Sequence, residues 1–275
     1  MKHSASALLF AGLITSFTAG SKILLYHDFN DEVLHTYTDN DVLITWNASS
    51  VGLKPDAVKI VRDPAADQSH GNVMRVFYAA DSYAHQNNSG AQWVVKIGAF
   101  DELYFAYDVY FENDAEFVKG GKLPGLMSTN YYSDPGVVPD GTDRWTGGMM
   151  WKANGQIINY MYHADQPSKY GEDIEWNDGP AGQKYFKRGK WHRIELYYKM
   201  NTPGVLDGRV KGWLDGELAL DTNEIMYRMP GGEDLDIGTL VFKTFYGGGN
   251  STWAPSTDQY IYFDDFVIST KPIYH

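Results

Sequence analysis

Three features of this 275-residue sequence predict an all-β fold, two antiparallel sheets packed face to face as a jelly-roll, lectin-like sandwich. Short period-two segments recur after about residue 20, no long segment holds a helical period, and 28 glycines supply turn positions between the segments. A closed barrel is the alternative architecture. With 43% hydrophobic and 15% aromatic residues, the chain can bury a full core as one unit. No repeat, low-complexity tract or linker divides it, so residues 21–275 are expected to form a single β-sandwich domain.

The elements follow in order. Residues 1–20 read as a secretory signal peptide, with Lys2 and His3 as a short positive start, an apolar run from Ala7 to Phe17 and small residues at Thr18-Ala19-Gly20. That run is short for a bilayer span, and no other segment approaches the length of a membrane helix. The expectation is an exported protein, extracellular or periplasmic, with no membrane span. Strands are expected at Lys22 to Phe29, Val42 to Asn47, Val58 to Arg62, Val73 to Ala79, Gln92 to Ile97 and Leu103 to Phe111. The series continues through Met149 to Lys152, Gln156 to His163, Trp191 to Met200, Val210 to Leu220, Thr239 to Tyr246 and Tyr260 to Ser269. Asn154-Gly155 and Asp215-Gly216 tolerate positive φ at both positions and predict two-residue turns of adjacent antiparallel hairpins. The irregular stretches Met127 to Asp143 and Ala164 to Lys187 are expected to wall a concave sheet face able to grip a linear sugar chain.

Charge and composition narrow the function. A formal net charge of −12 argues against nonspecific nucleic-acid binding, which needs a broad basic surface. A polyanionic substrate stays open if a local cleft reverses the sign. The absence of cysteine excludes thiolate metal sites and cysteine nucleophiles, and leaves stability to core packing. No organic cofactor or nucleotide motif is visible. Asp264 and Asp265 could bind a structural calcium ion, although an acidic pair at a turn edge usually faces water.

Two segments carry the candidate chemistry. Phe117 to Leu126 places Lys119 and Lys122 among Gly120, Gly121 and Gly125, which reads as a glycine-rich turn shaped to hold a cation against an anion. Further on, Arg144, Thr146, Gly148, Met150 and Lys152 share one strand face, and Tyr160 and Tyr162 share a face of the returning strand about 7 Å apart. Gln92 and Lys96 share a face of an earlier strand, where they either reach a neighbouring sugar subsite or simply face solvent. Lys243 sits among aromatics in Val241 to Phe245. His163 lies on the face opposite Tyr162 and suits a structural hydrogen bond or, if the strand twists, a substrate contact. Trp151 is expected in the core.

Taken together these pieces resemble polysaccharide lyase family 14, the alginate and glucuronan lyases. Gly120-Gly121-Lys122-Leu123-Pro124-Gly125-Leu126 is similar to the family signature, Tyr160-Met161-Tyr162 matches its Tyr-x-Tyr pair, and Met150-Trp151-Lys152 resembles the end of its Ser-x-Arg-x-Met-Trp-Arg strand. Segments at residues 163–171, 191–193, 213–216 and 262–266 are also similar. Thr146 and Gly148 stand where the family strand carries serine and arginine, so a hydroxyl is kept and a guanidinium lost. The resemblance implies β-elimination of a uronic acid polymer, with Lys122, Tyr160 and Tyr162 catalytic and Thr146, Arg144, Lys152, Gln92, Lys243 and His163 as substrate contacts. In that chemistry Lys122 could neutralise the uronate carboxylate and favour the phenolate of a tyrosine base, with the second tyrosine as acid; which tyrosine is base and which acid, and whether Lys122 is itself the base, stay open. Two other readings compete: a noncatalytic carbohydrate-binding sandwich, and a glycoside hydrolase using Asp173 and Glu175 of a loop between Tyr170 and Trp176.

Overall fold

The computed structural model describes residues 22–84, 89–131 and 135–273; the expected signal peptide lies outside them. Among the described residues, sixteen strands form two antiparallel sheets. The larger sheet runs β14 (Glu217–Ile225), β13 (Gly208–Leu214), β12 (Lys190–Lys199), β7 (Glu102–Phe111), β16 (Gln259–Ser269), β5 (Asn72–Tyr78), β4 (Val58–Arg62) and β2 (His35–Thr36), with β1 (Ile23–His27) also paired to β16. The smaller runs β11 (Glu172–Glu175), β10 (Ile157–Tyr162), β9 (Thr146–Lys152), β8 (Gly120–Met127), β15 (Ile237–Tyr246), β6 (Ala91–Phe100) and β3 (Ser50–Val51). This is the expected sandwich.

Alternation decides which side chains enter the core. On β7, Leu103, Phe105, Tyr107, Val109 and Phe111 face inward and are buried. From the smaller sheet, Trp93 and Phe242 lie directly opposite each other and stack with ring centroids 3.8 Å apart. Trp151 is fully buried, as expected, and donates to the Phe117 carbonyl at 3.1 Å. One polar network crosses this apolar layer. The Tyr198 hydroxyl of β12 donates to the Gly147 carbonyl at 2.7 Å and accepts from Asn159 Nδ2 at 2.8 Å, while Asn159 Oδ1 accepts from Trp176 Nε1 at 2.8 Å. Each member is satisfied, so the network fixes β9 and β10 at small net cost.

Four local expectations are corrected. Val42 to Asn47 is not a strand, because helix α1 covers Asp39–Thr45. The Thr38 hydroxyl accepts from the Asp41 N–H and the Asp41 carboxylate accepts from the Thr38 N–H, a reciprocal cap that outweighs the short apolar run. Glu172–Glu175 is an edge strand rather than a loop. The Asp215-Gly216 turn has the expected positive φ values of 52° and 82°. Asn154 and Gly155 also have positive φ, yet they sit within a 3₁₀ turn, and the two hairpins belong to different sheets.

The fourth correction concerns the lysine segment itself. Gly120 to Met127 is not a turn but strand β8, paired with β9 on one side and β15 on the other. Its glycines answer a packing demand more than a turn. A Cβ on Gly121 would lie 2.1 Å from the Trp151 ring, and one on Gly125 would lie 2.2 Å from the Gly147 carbonyl oxygen. Overpacking of this kind costs about 1–3 kcal/mol. Gly121→Ala is therefore expected to lower the unfolding free energy by about 1–3 kcal/mol, read as a lower urea midpoint at unchanged slope; an unchanged midpoint would show that β8 does not need its close seat on Trp151.

Candidate active site

Strand pairing brings the candidate residues onto the outer face of the smaller sheet. Lys122 of β8 lies opposite Met150 of β9 and Phe245 of β15. Tyr160 of β10 lies opposite Gly148 on one side and Asp173 of β11 on the other, and Tyr162 lies opposite Thr146. Gln92 of β6 and Lys243 of β15 face each other across the next strand pair. With strands about 4.8 Å apart, the row from β11 to β6 is roughly 24 Å wide.

The side chains converge at Lys122. Its Nζ sits 3.4 Å from the centroid of the Tyr160 ring and donates to the Met150 thioether sulfur at 2.9 Å. Sulfur is a weak acceptor and a ring face is a weak one too, so neither replaces the water an ammonium ion loses. Burial accordingly holds the Lys122 amine well below the ordinary lysine range, and the positive charges of Lys243 and Lys152 push the same way against the opposing effect of Asp173. Tyr160 moves in the other direction. Burial raises its phenol first, and a hydrogen bond with Tyr162 adds to the rise. An amine made more willing to be neutral therefore touches a phenol made more reluctant to ionise.

The tyrosines are held by the neighbouring loops. The rings of Tyr160 and Tyr162 meet edge to face at 5.6 Å. Tyr160 Oη accepts from the Gly171 N–H at 3.1 Å, and Tyr162 Oη accepts from the Gly136 N–H at 3.5 Å. A Cβ on Gly171 would stand 2.9 Å from both rings, so only glycine lets the 164–171 segment close over the pair. The stretches expected to wall the face do supply these contacts.

The remaining candidates divide. Thr146, Gln92 and Lys243 point onto the same face as Lys122, and Lys243 is half-buried with its amine 5.4 Å from the Phe245 ring centroid. Burial lowers its proton affinity as well. Lys152 is present but neutralised by Asp173 at 2.6 Å. Arg144 is buried and engaged with the Asp143 carboxylate and the Val137 carbonyl, so it braces the wall instead of lying on the sheet face. His163 is corrected as a substrate contact: it is buried, with Nδ1 at 2.7 Å from Asp165 and Nε2 at 2.8 Å from Glu172, leaving no ring nitrogen for a sugar. Lys96 is engaged with the Thr129 carbonyl and Thr239. Asp173 and Glu175 do not flank a bond as a hydrolase pair would, since they share one edge strand and Glu175 accepts from Gln156 and Asn177.

Gly148 leaves room. A Cβ there would meet only the Tyr160 carbonyl at 3.7 Å and the Met127 methyl at 3.9 Å, ordinary contacts. Met150 and Gly171 were not singled out by sequence reasoning as site residues, and Asp173 was weighed only as half of a hydrolase pair. Met150 was detectable through its strand position between Gly148 and Lys152; Gly171 and Asp173 depend on a loop closure and an edge pairing that no periodicity shows.

A search of curated protein sequences gave no match. Solved structures share the fold. An alginate lyase, Aly36B, carrying a lysine and a tyrosine replaced by alanine and bound to an alginate tetrasaccharide, is 22% identical over 93% of this chain and 98% of its own, with a TM-score of 0.75. The marine PL-14 alginate lyase from Aplysia kurodai is 23% identical over 90% and 98%, TM-score 0.71. Alginate lyase vAL-1 from Chlorella virus is 22% identical over 86% and 99%, TM-score 0.67. The family profile for polysaccharide lyase 14 matches residues 66–266, a span holding Lys122, Met150, Tyr160 and Tyr162, and the chain therefore belongs to polysaccharide lyase family 14.

Proposed function

We propose that this lyase is exported and cleaves a polyuronate, an alginate-type chain or a glucuronan, by β-elimination on the outer face of the smaller sheet. The observation that carries the reading is the Lys122 amine, desolvated against Met150 and the Tyr160 ring. Pairs of groups whose proton affinities are pushed apart suit opposite roles in acid–base catalysis. Lys122, lowered, is the base; Tyr160, raised, is the acid. Of the roles left open by the sequence, this favours Lys122 as base and disfavours a Tyr160 phenolate, because the surroundings of Tyr160 favour the protonated phenol.

The step balances as follows. Neutral Lys122 takes the proton from the sugar carbon that bears the carboxylate. The C–H electrons form a double bond to the adjacent ring carbon, whose bond to the linkage oxygen breaks, and Tyr160 gives its hydroxyl proton to that oxygen. Tyr162, bonded to Tyr160, relays or replaces that proton, and Met150 orients the amine. Negative charge growing on the carboxylate needs a cation beside it, which Lys243 supplies with Gln92 opposite. An acidic polymer also answers the excess of lysine on this face. The alginate oligosaccharides bound to Aly36B support this substrate class.

The direct assay follows absorbance of the unsaturated uronate formed from polymannuronate, polyguluronate and glucuronan. Lys122→Ala and Tyr160→Phe are each expected to lower kcat by about 10²–10⁴ while the melting temperature holds. Wild-type rates in either variant would reject the assignment, and new reducing ends without absorbance would mean hydrolysis. Lys243→Ala is expected to lower kcat/KM about tenfold or more at low ionic strength, with a smaller penalty at high salt. An unchanged kcat/KM would remove Lys243 from the substrate carboxylate.

A further inference from the structure

The outer face of the larger sheet carries a second charged cluster, remote in the pairing order from Lys122 and built from β5, β7, β12, β16 and the loop before β5. Asp264 of β16 lies directly opposite Asp108 of β7, which in turn lies opposite Arg193 of β12. Like charges facing each other across an antiparallel pair are destabilising. Asp108 is compensated: one oxygen accepts from Arg193 at 2.9 Å and the other meets His70 Nε2 at 2.9 Å. Asp264 is compensated only in part: it is 1% exposed and accepts a backbone hydrogen bond from Asp265, but its Oδ1 has no hydrogen-bond partner. The expectation that this acidic pair simply faces water is corrected for Asp264 by that burial.

The neighbours point inward as well. Pairing of β16 with β7 shifts just after Asp264, and Asp265 sits in that irregularity at a positive φ of 49°. One ligand atom from each of His70, Asp264 and Asp265 falls within 4.8 Å of the others. Asp28, following β1, adds a further negative charge felt by both aspartates. Arg193 donates to the Asp265 carbonyl at 2.8 Å and leaves the Asp265 carboxylate outside that bond. A buried carboxylate whose free oxygen meets other carboxylates is stabilised by a proton or by a cation.

We propose that His70, Asp264 and Asp265 form a divalent-cation site on the sheet opposite the candidate active site. Two carboxylates and one imidazole nitrogen, exchanged from its bond to Asp108 (Nε2, 2.9 Å) or to Ser69 Oγ (Nδ1, 3.2 Å), supply the donors, a set that suits Mn²⁺ or Zn²⁺ and, with water completing the shell, Ca²⁺. The ion stabilises the fold by joining β16 to the loop that carries His70, and takes no part in elimination.

The test uses untagged, full-length mature protein stripped with chelator, then titrated separately with Ca²⁺, Mn²⁺ and Zn²⁺ by calorimetry and thermal melting. Saturable binding of one ion per chain is expected, raising Tm by about 5 °C at a hundredfold excess over Kd. Asp264→Asn keeps the shape and removes the charge; it is expected to fold, to match or exceed the stripped wild type in Tm, and to lose the metal response. Asp265→Asn is expected to weaken binding at least tenfold. Absence of saturable binding by all three ions, or an undiminished response in Asp264→Asn, would overturn the site and identify a proton as what neutralises Asp264.

Discussion

An amine stripped of water and pressed between an aromatic ring and a thioether is the constraint around which the smaller sheet is organised. Lys122 gains from Tyr160 and Met150 less than it loses in hydration, and Lys243 repels it further. The fold sustains this because the amine rides on β8, a strand held on both flanks, and not on a loop free to swing it into solvent. Behind the sheet, Tyr198, Asn159 and Trp176 tie β9 and β10 to the opposite layer through satisfied hydrogen bonds. Such second contacts keep catalytic groups within the tolerance that proton transfer demands.

The two outer faces show opposite electrostatic solutions within one acidic chain of net charge −12. The smaller sheet gathers Lys122, Lys152 and Lys243, with Asp173 as a close counter-charge to Lys152 and the Lys122 amine made readier to lose its proton. The larger sheet gathers Asp28, Asp108, Asp264 and Asp265 around His70 and Arg193, with the negative side in excess. A polymer of acid sugars complements the first face and is repelled by the second, which favours productive encounter.

Much of the sandwich was legible because its strands have one wet and one dry face. The alternation of residues 103–111 and the pairing of Tyr160 with Tyr162 required only a period of two. The errors arose where another force prevailed. Thr38 and Asp41 cap a helix whose apolar residues resemble a short strand. The glycines around Lys122 suggested a turn because flexibility is their usual use, whereas here they admit Trp151 and the Gly147 carbonyl. For His163 the reading as a structural hydrogen-bonder holds and that as a substrate contact fails, because Asp165 and Glu172, two and nine positions later, occupy both ring nitrogens. The resemblance to lyase sequences supplied Lys122 and the tyrosine pair, but their division of labour needed the direction in which burial pushes each group.

The central claim is that burial and the neighbouring lysine charges make the Lys122 amine much readier to give up its proton than an ordinary lysine. Lysine side chains labelled with ¹³C can be titrated by NMR, with the Lys122 signal assigned by its absence in Lys122→Arg. Because burial and Lys243 lower the folded-state proton affinity, the account predicts a midpoint well below the ordinary lysine value of about 10.4. A midpoint at or above that value would mean that the amine stays charged, and the base would have to be sought elsewhere.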